Sequence, residues 1–295
     1  MIQRETALFG SGGNPQRFYD DGFKETADVF KWLKQKNIDS YEYQAGSGLR
    51  VSSAVLKKIG EAAAVSNIVL SLHAPYYISL ASDDDEIIAR SVSHVLKSVD
   101  AAAVMGAAAA VVHCGGLGKK TREQALEKSR ATLEKILENL YESNQTDIKI
   151  GLETMGKINQ LGTLEEVIEL CKLDTKILEP VVDFGHLHAR EKGERFKTYG
   201  DYYKVFELVG ENLSDYAAKY LHCHFSKIEY TVLGGEKKHL TFEDKTFGPE
   251  FLPLAAVLCE HKLFPNIICE SDKTMDTDAL YMKQIYKEKQ RKELI

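Results

Sequence analysis

Ile68-Val69-Leu70-Ser71-Leu72-His73 is a short, mainly apolar run closed by Ala74-Pro75. It reads as a strand, and a proline, which has no N–H to give a ladder, ends it just after His73. Asp83-Asp84-Asp85-Glu86 then opens a helix, acidic residues being suited to the positive end of the helix dipole, and the helix runs to about Met105. A second strand, Ala109-Ala110-Val111-Val112-His113, is stopped by Gly115-Gly116. Strand, helix, strand, each strand ending in a histidine, is the unit to look for elsewhere.

Upstream, Thr6-Ala7-Leu8-Phe9 is a strand that gives way to a Gly10-Ser11-Gly12-Gly13 loop. Phe23, Val29, Phe30 and Leu33 recur at helical spacing. Ser40-Tyr41-Glu42-Tyr43 follows as a strand, and 52–65 as a helix. Downstream, helices are expected over 121–141 and from Thr163, whose Glu165 and Glu166 complete an N-cap with an acidic first turn. Further helices are expected over 198–209 and 249–260 and from Thr274. Strands are expected over 148–153, 178–183, 220–224 and 267–270. Eight strand-then-helix units predict an α/β fold, a (β/α)8 TIM barrel forming one domain over 1–295, with a doubly wound open sheet as the alternative.

Bulk properties narrow the function classes. The 295 residues carry a net charge of −6, which exerts no global pull on nucleic acid, although charge can still concentrate around one site. No run of eighteen apolar residues is present, and the first residues lack a signal peptide's apolar stretch. Five cysteines, odd in number and without a Cys-x-x-Cys pair, argue against a disulfide frame or a zinc ribbon. These features lead us to expect a cytoplasmic monomer.

The chemistry collects at strand ends. His73, His113, Glu153 and Asp183 end the third to sixth strands, His222 and His224 the seventh, and Glu270 the eighth; the first two offer no comparable residue. In a TIM barrel that edge is the active-site mouth. One such residue is ordinarily a turn, cap or salt-bridge partner. Six consecutive strands so equipped would leave charges repelling or unsatisfied without cations between them. Nitrogen and carboxylate ligands suit Zn²⁺, Mn²⁺ or Fe²⁺ better than Mg²⁺ or Ca²⁺. Eight candidates, counting His186 and His239 and setting His224 aside, exceed one ion's capacity and predict two or three, with a carboxylate bridging a pair. His188, in a loop, and His224 are expected one layer out from the ligands. His94 and His261 fall in helical patterns, and Cys114 has only its adjacency to His113 to recommend it.

Leu72-His73-Ala74-Pro75-Tyr76-Tyr77, Val112-His113-Cys114-Gly115-Gly116, Leu152-Glu153-Thr154-Met155, Asp183-Phe184-Gly185-His186 and His222-Cys223-His224-Phe225-Ser226-Lys227 resemble the endonuclease IV family in order and strand position. That family comprises (β/α)8 zinc enzymes that cleave DNA 5′ to abasic sites, within the wider xylose isomerase-like group. The resemblance implies that His73 and His113 hold one zinc and that Glu153 bridges to a second, completed by Asp183, His222 and Glu270. His186 and His239 belong to a third. Glu153 and Glu270 would be catalytic, and Tyr76, Tyr77, Lys227 and His224 would meet the substrate.

Several positions depart from the family pattern. Lys237 stands where an aspartate ligand is expected two residues before His239, and Glu236 replaces it only if the register shifts. A histidine signature is missing after the first strand. Gly46 to Arg50 does not resemble the DNA-inserting loop, and His224-Phe225 stands where Asn-Asp is usual. The chain therefore looks like a divergent member.

Two enzyme classes remain. A DNA enzyme would use Lys119, Lys120, Arg122, Arg190, Lys192, Arg195, Lys197, Lys227, Lys237 and Lys238 as a locally basic rim, with Tyr76 and Tyr77 stacking on bases. A sugar isomerase or epimerase would need only Glu153, Asp183, His222 and Glu270 around one ion, two carboxylates shuttling a proton next to a carbonyl. A barrel that binds metal or ligand without turnover is the non-enzymatic reading. His239 discriminates, since a one-ion isomerase has no need of it.

Overall fold

A computed structural model describes residues 4–293. Ten strands are assigned among these residues: β1 (Leu8–Gly12), β2 (Ser40–Gln44), β3 (Val69–His73), β4 (Ala109–His113), β5 (Lys149–Glu153), β6 (Leu178–Asp183), β7 (His222–Phe225), β8 (Lys227–Thr231), β9 (Gly235–Leu240) and β10 (Asn266–Cys269). Eight of them close a parallel barrel in the order β1-β10-β7-β6-β5-β4-β3-β2, while β8 and β9 form a separate antiparallel hairpin. The barrel expectation holds, and the open sheet is excluded.

Alternation explains how one strand serves two environments. Leu70 and Leu72, Ala110 and Val112, and Ile150 and Leu152 share a buried cluster with Val95, Val99, Leu133 and Ile136 of the surrounding helices. The intervening residues, Ser71 and His73, Val111 and His113, Gly151 and Glu153, therefore face the barrel axis. Polar chemistry accumulates inside because the apolar half of each strand is spent on the helices outside.

The helix starts follow from local capping. Ser52, Asp84, Thr121, Thr163 and Thr198 each accept a backbone N–H with their side chains ahead of the helices Ser53–Val65, Asp85–Met105, Arg122–Glu142, Leu164–Cys171 and Tyr199–Asn212. Three of them close reciprocal boxes with Gln124, Glu166 and Asp201. Such caps contribute about 1 kcal/mol each.

Some local expectations fail. Gly10, Ser11 and Gly12 continue β1 rather than forming a loop, because Gly10 has no Cβ to strike Ser40 on β2, 2.2 Å from where one would sit. Phe23 precedes its helix, Thr26–Gln35. Tyr220 and Leu221 lie outside β7. His188 is not in a loop: Phe184–Arg190 is a helix, nucleated when the Asp183 side chain caps the His186 N–H at 2.7 Å. No described helix is long and apolar enough to cross a membrane.

Candidate metal centre

Glu153, the last residue of β5, is fully buried at the centre of the site. Four imidazoles converge on its two oxygens. His73 Nε2 and His113 Nε2 lie 3.0 and 2.9 Å from Oε2, while His186 Nδ1 and His224 Nδ1 lie 3.1 and 3.2 Å from Oε1. Burial opposes ionisation of this carboxyl, but His224, His113 and His186 outweigh it and hold Glu153 well below the usual carboxylate range.

The tautomers are fixed from outside the cluster. His73 Nδ1 is 2.8 Å from the Ala74 carbonyl, and His186 Nδ1 is 2.9 Å from the Thr154 carbonyl. A carbonyl only accepts, so each Nδ1 carries a hydrogen. A neutral His73 then turns the lone pair of Nε2 toward Glu153, and a neutral His186 turns its own toward Glu236 Oε2, 3.5 Å away. Lone pair facing lone pair is repulsive unless a proton or a cation lies between. Histidines anchored through the far nitrogen to a carbonyl are also how proteins present imidazole to metals. Asp183 is arranged likewise: Oδ1 caps the helix and Oδ2 has no hydrogen-bond partner. The residues fit a zinc-class dication.

Four groups have ligand atoms within 4.8 Å of one another: His73, His113 and Glu153; Glu153, Asp183, His224 and Glu270; His186, Glu236 and His239; and Glu42, His222 and His224. Tyr76 and Tyr77 sit exposed beyond the end of β3, edge to face with each other. A cavity of about 600 Å³ opens beside the site, lined by Gln44, Glu236, Lys238, His239, Glu270 and Lys273 among others.

Three expectations need correction. The paired histidines exchange places: His224, not His222, joins Asp183 and Glu270. Asp183 is in register with His224, whereas His222 is in register with Val181, two residues deeper. Alternation sets the face of a strand residue, but its position along the strand sets its depth. Next, the second strand does offer a ligand-type residue. Glu42 is fully buried, its carboxylate 3.1 Å from His222 Nε2 and 3.0 Å from His224 Nε2. It is not the last residue of β2, so inspection of strand ends passes over it; its spacing of two from Gln44 was the available signal.

Lys227 does not line the mouth. It is 2% exposed, its ammonium held by Glu250 and the Asp244 carbonyl at 2.6 and 2.8 Å.

The substitute for the missing aspartate has a clear cause. Tyr230 pairs with Glu236 and Glu229 with Lys238, leaving Lys237 as the extra residue of a bulge. A bulge offsets alternation by one, which returns Glu236 to the face of His239 while Lys237 pairs with Glu229. Gly156 makes room, since a Cβ there would meet Glu236 Cβ at 2.6 Å and His186 Cδ2 at 3.1 Å.

The anticipated basic rim is largely neutralised. Lys120 pairs with Asp83, Arg122 with Glu166, Arg195 with Glu191 and Lys197 with Glu194, each at 2.6 Å. Arg190 is committed to the carbonyls of Met155, Lys157, Ile158 and Gln160.

The family model described as the xylose isomerase-like TIM barrel matches residues 30–258. An uncharacterized protein of Methanocaldococcus jannaschii is 30% identical over 97% of this chain and all of its own length. "Probable endonuclease 4" of Acholeplasma laidlawii is 31% identical over 73% of this chain and 69% of its own. Among solved structures, a D-tagatose 3-epimerase-like protein superposes with a TM-score of 0.71 at 20% identity, covering 98% of this chain and 100% of that one. This chain belongs to the xylose isomerase-like TIM barrel family, as a divergent relative of its endonuclease IV proteins.

Proposed function

We propose that this member of the xylose isomerase-like TIM barrel family is a zinc-dependent phosphodiester hydrolase that cuts DNA at abasic sites. One observation carries the reading: three ligand groups meet around Glu153, including His186, Glu236 and His239, which a one-ion sugar enzyme would not use. The endonuclease 4 relative supports the same direction.

His73, His113 and Glu153 would hold one ion, Glu153, Asp183, His224 and Glu270 a second, and His186, Glu236 and His239 a third. Mn²⁺ or Fe²⁺ would fit one of these nitrogen–oxygen sets as well. Such ions supply the positive charge that polarises a phosphoryl group and balances the anionic transition state. The chain's own residues do the rest. Glu153 fixes the spacing of the groups, because both of its oxygens are engaged and the walls around it are packed. Glu270, part-exposed at the cavity, is the carboxylate able to take a proton from attacking water. Lys273 lines that cavity and can meet a backbone phosphate, while Lys237 and Lys238 beside it are shared with Glu229, and Tyr76 and Tyr77 offer exposed rings to an unstacked base.

A second reading has its own support. Glu153, Asp183, His224 and Glu270 alone make a one-ion set whose Glu270 lines the cavity, and the paired rim cations weaken the attraction for a polyanion. Presenting the zinc-loaded protein with a duplex carrying one abasic site, and separately with a panel of ketoses, separates the two.

A further inference from the structure

One layer below the mouth, Glu42, His222 and His224 form a cluster that shares only His224 with the three mouth groups. All three residues are buried, Glu42 and His224 completely. The two nitrogen–oxygen pairs lie 3.1 and 3.0 Å apart, yet neither is aligned as a hydrogen bond. Glu42 Oε1, His222 Nε2 and His224 Nε2 are without hydrogen-bond partners among the described residues. These three atoms, one carboxylate oxygen and two imidazole nitrogens, are costly in that state, since each has given up water without replacing it.

We propose that these residues form a separate interior cation site that takes a zinc-class dication. Ligands on a tetrahedral ion with bonds of about 2.0–2.1 Å stand about 3.3 Å from one another, close to the spacing seen here. Two imidazoles and a carboxylate select for zinc and its neighbours over magnesium or calcium. The Ser71 hydroxyl donates to Glu42 Oε2 at 2.8 Å and fixes the carboxylate from behind, as outer partners of metal ligands do.

His224 belongs to both layers, Nε2 facing Glu42 and Nδ1 facing Glu153 and Glu270. A neutral ring has one lone pair to give. Filling the interior site while Nδ1 also binds an ion therefore removes the ring's remaining proton to solvent and makes His224 a bridge between the layers. The proposal does not depend on whether the mouth acts on DNA or sugar.

The test is a zinc-edge anomalous difference map from crystals of the whole chain grown with zinc chloride. The expected result is a peak about 2 Å from Glu42, His222 Nε2 and His224 Nε2. Peaks at the mouth with none beside Glu42 overturn the interior site and leave the proposed function standing. A peak beside Glu42 with a bare mouth does the reverse. In solution, His222→Asn and Glu42→Gln should each hold one zinc fewer per chain than the unmodified protein. Equal zinc in a folded variant contradicts the proposal, and if neither variant folds the map decides.

Discussion

His73 Nε2 lies 3.0 Å from Glu153 Oε2 while the other nitrogen of the same ring is committed to the Ala74 carbonyl. The contact therefore needs a positive particle, and the protein can supply only a proton. Burial alone would lower the affinity of His73 for that proton, but Glu153, with help from Glu42 and Glu270, pushes its pKa up to about 9. A dication at this position has to displace the proton.

That competition sets a pH dependence. In the metal-free protein, the raised pKa means that protonated His73 contributes stability fully below about pH 6.5, and this is lost as pH rises through about 9. Zinc works in the opposite sense, since its ligands must be deprotonated. The difference in Tm between zinc-loaded and chelator-treated protein should widen from pH 6.5 to 9. A difference that narrows over that window rejects the arrangement.

Replacing Glu153 by Gln removes the charge that four imidazoles share. Leaving buried cations without their partner costs about 3–5 kcal/mol in the metal-free form. Loss of a central ligand should lower turnover at least about 100-fold. Calorimetry of the metal-free form reads the first effect and an activity assay the second, and an active E153Q protein with full zinc would remove Glu153 from the site.

The bulge in β9 makes a prediction that runs against sequence spacing. Lys237→Asp should leave zinc content unchanged, because residue 237 pairs toward Glu229 and away from His239. Glu236→Gln should lose one ion per chain. Gain of zinc in K237D would mean that the strand register is wrong.

All five cysteines are buried, and burial pushes Cys114 and Cys269 up to about 12. A thiol so far from its thiolate is a poor nucleophile. The native protein should show no rapid reaction with an aromatic disulfide reagent at pH 8, and all five thiols should react in guanidinium. Prompt labelling of Cys114 in the folded state would reopen a role for it beside His113.

The barrel was legible because its strands are separated by well-capped helices, and the site because His73, His113, Glu153 and Asp183 each close a strand. What was not legible depends on depth and local backbone. The alternation of His222 and His224 places both on one face but does not say which reaches the mouth. Glu42 lies within its strand, where a carboxylate ordinarily turns outward to water. The bulge at Lys237 and the helix after Asp183 are backbone events of a few residues, too short for any periodicity to announce. The paired rim cations were individually visible, but pairing is a tertiary fact.

Phosphodiester hydrolysis at an abasic site is put to the test by incubating the zinc-loaded protein with an end-labelled duplex bearing one abasic site, with and without chelator, beside a parallel panel of ketoses. The expected outcome is a single metal-dependent nick 5′ to the abasic position and no change in the sugars. Ketose interconversion with an intact duplex would contradict it.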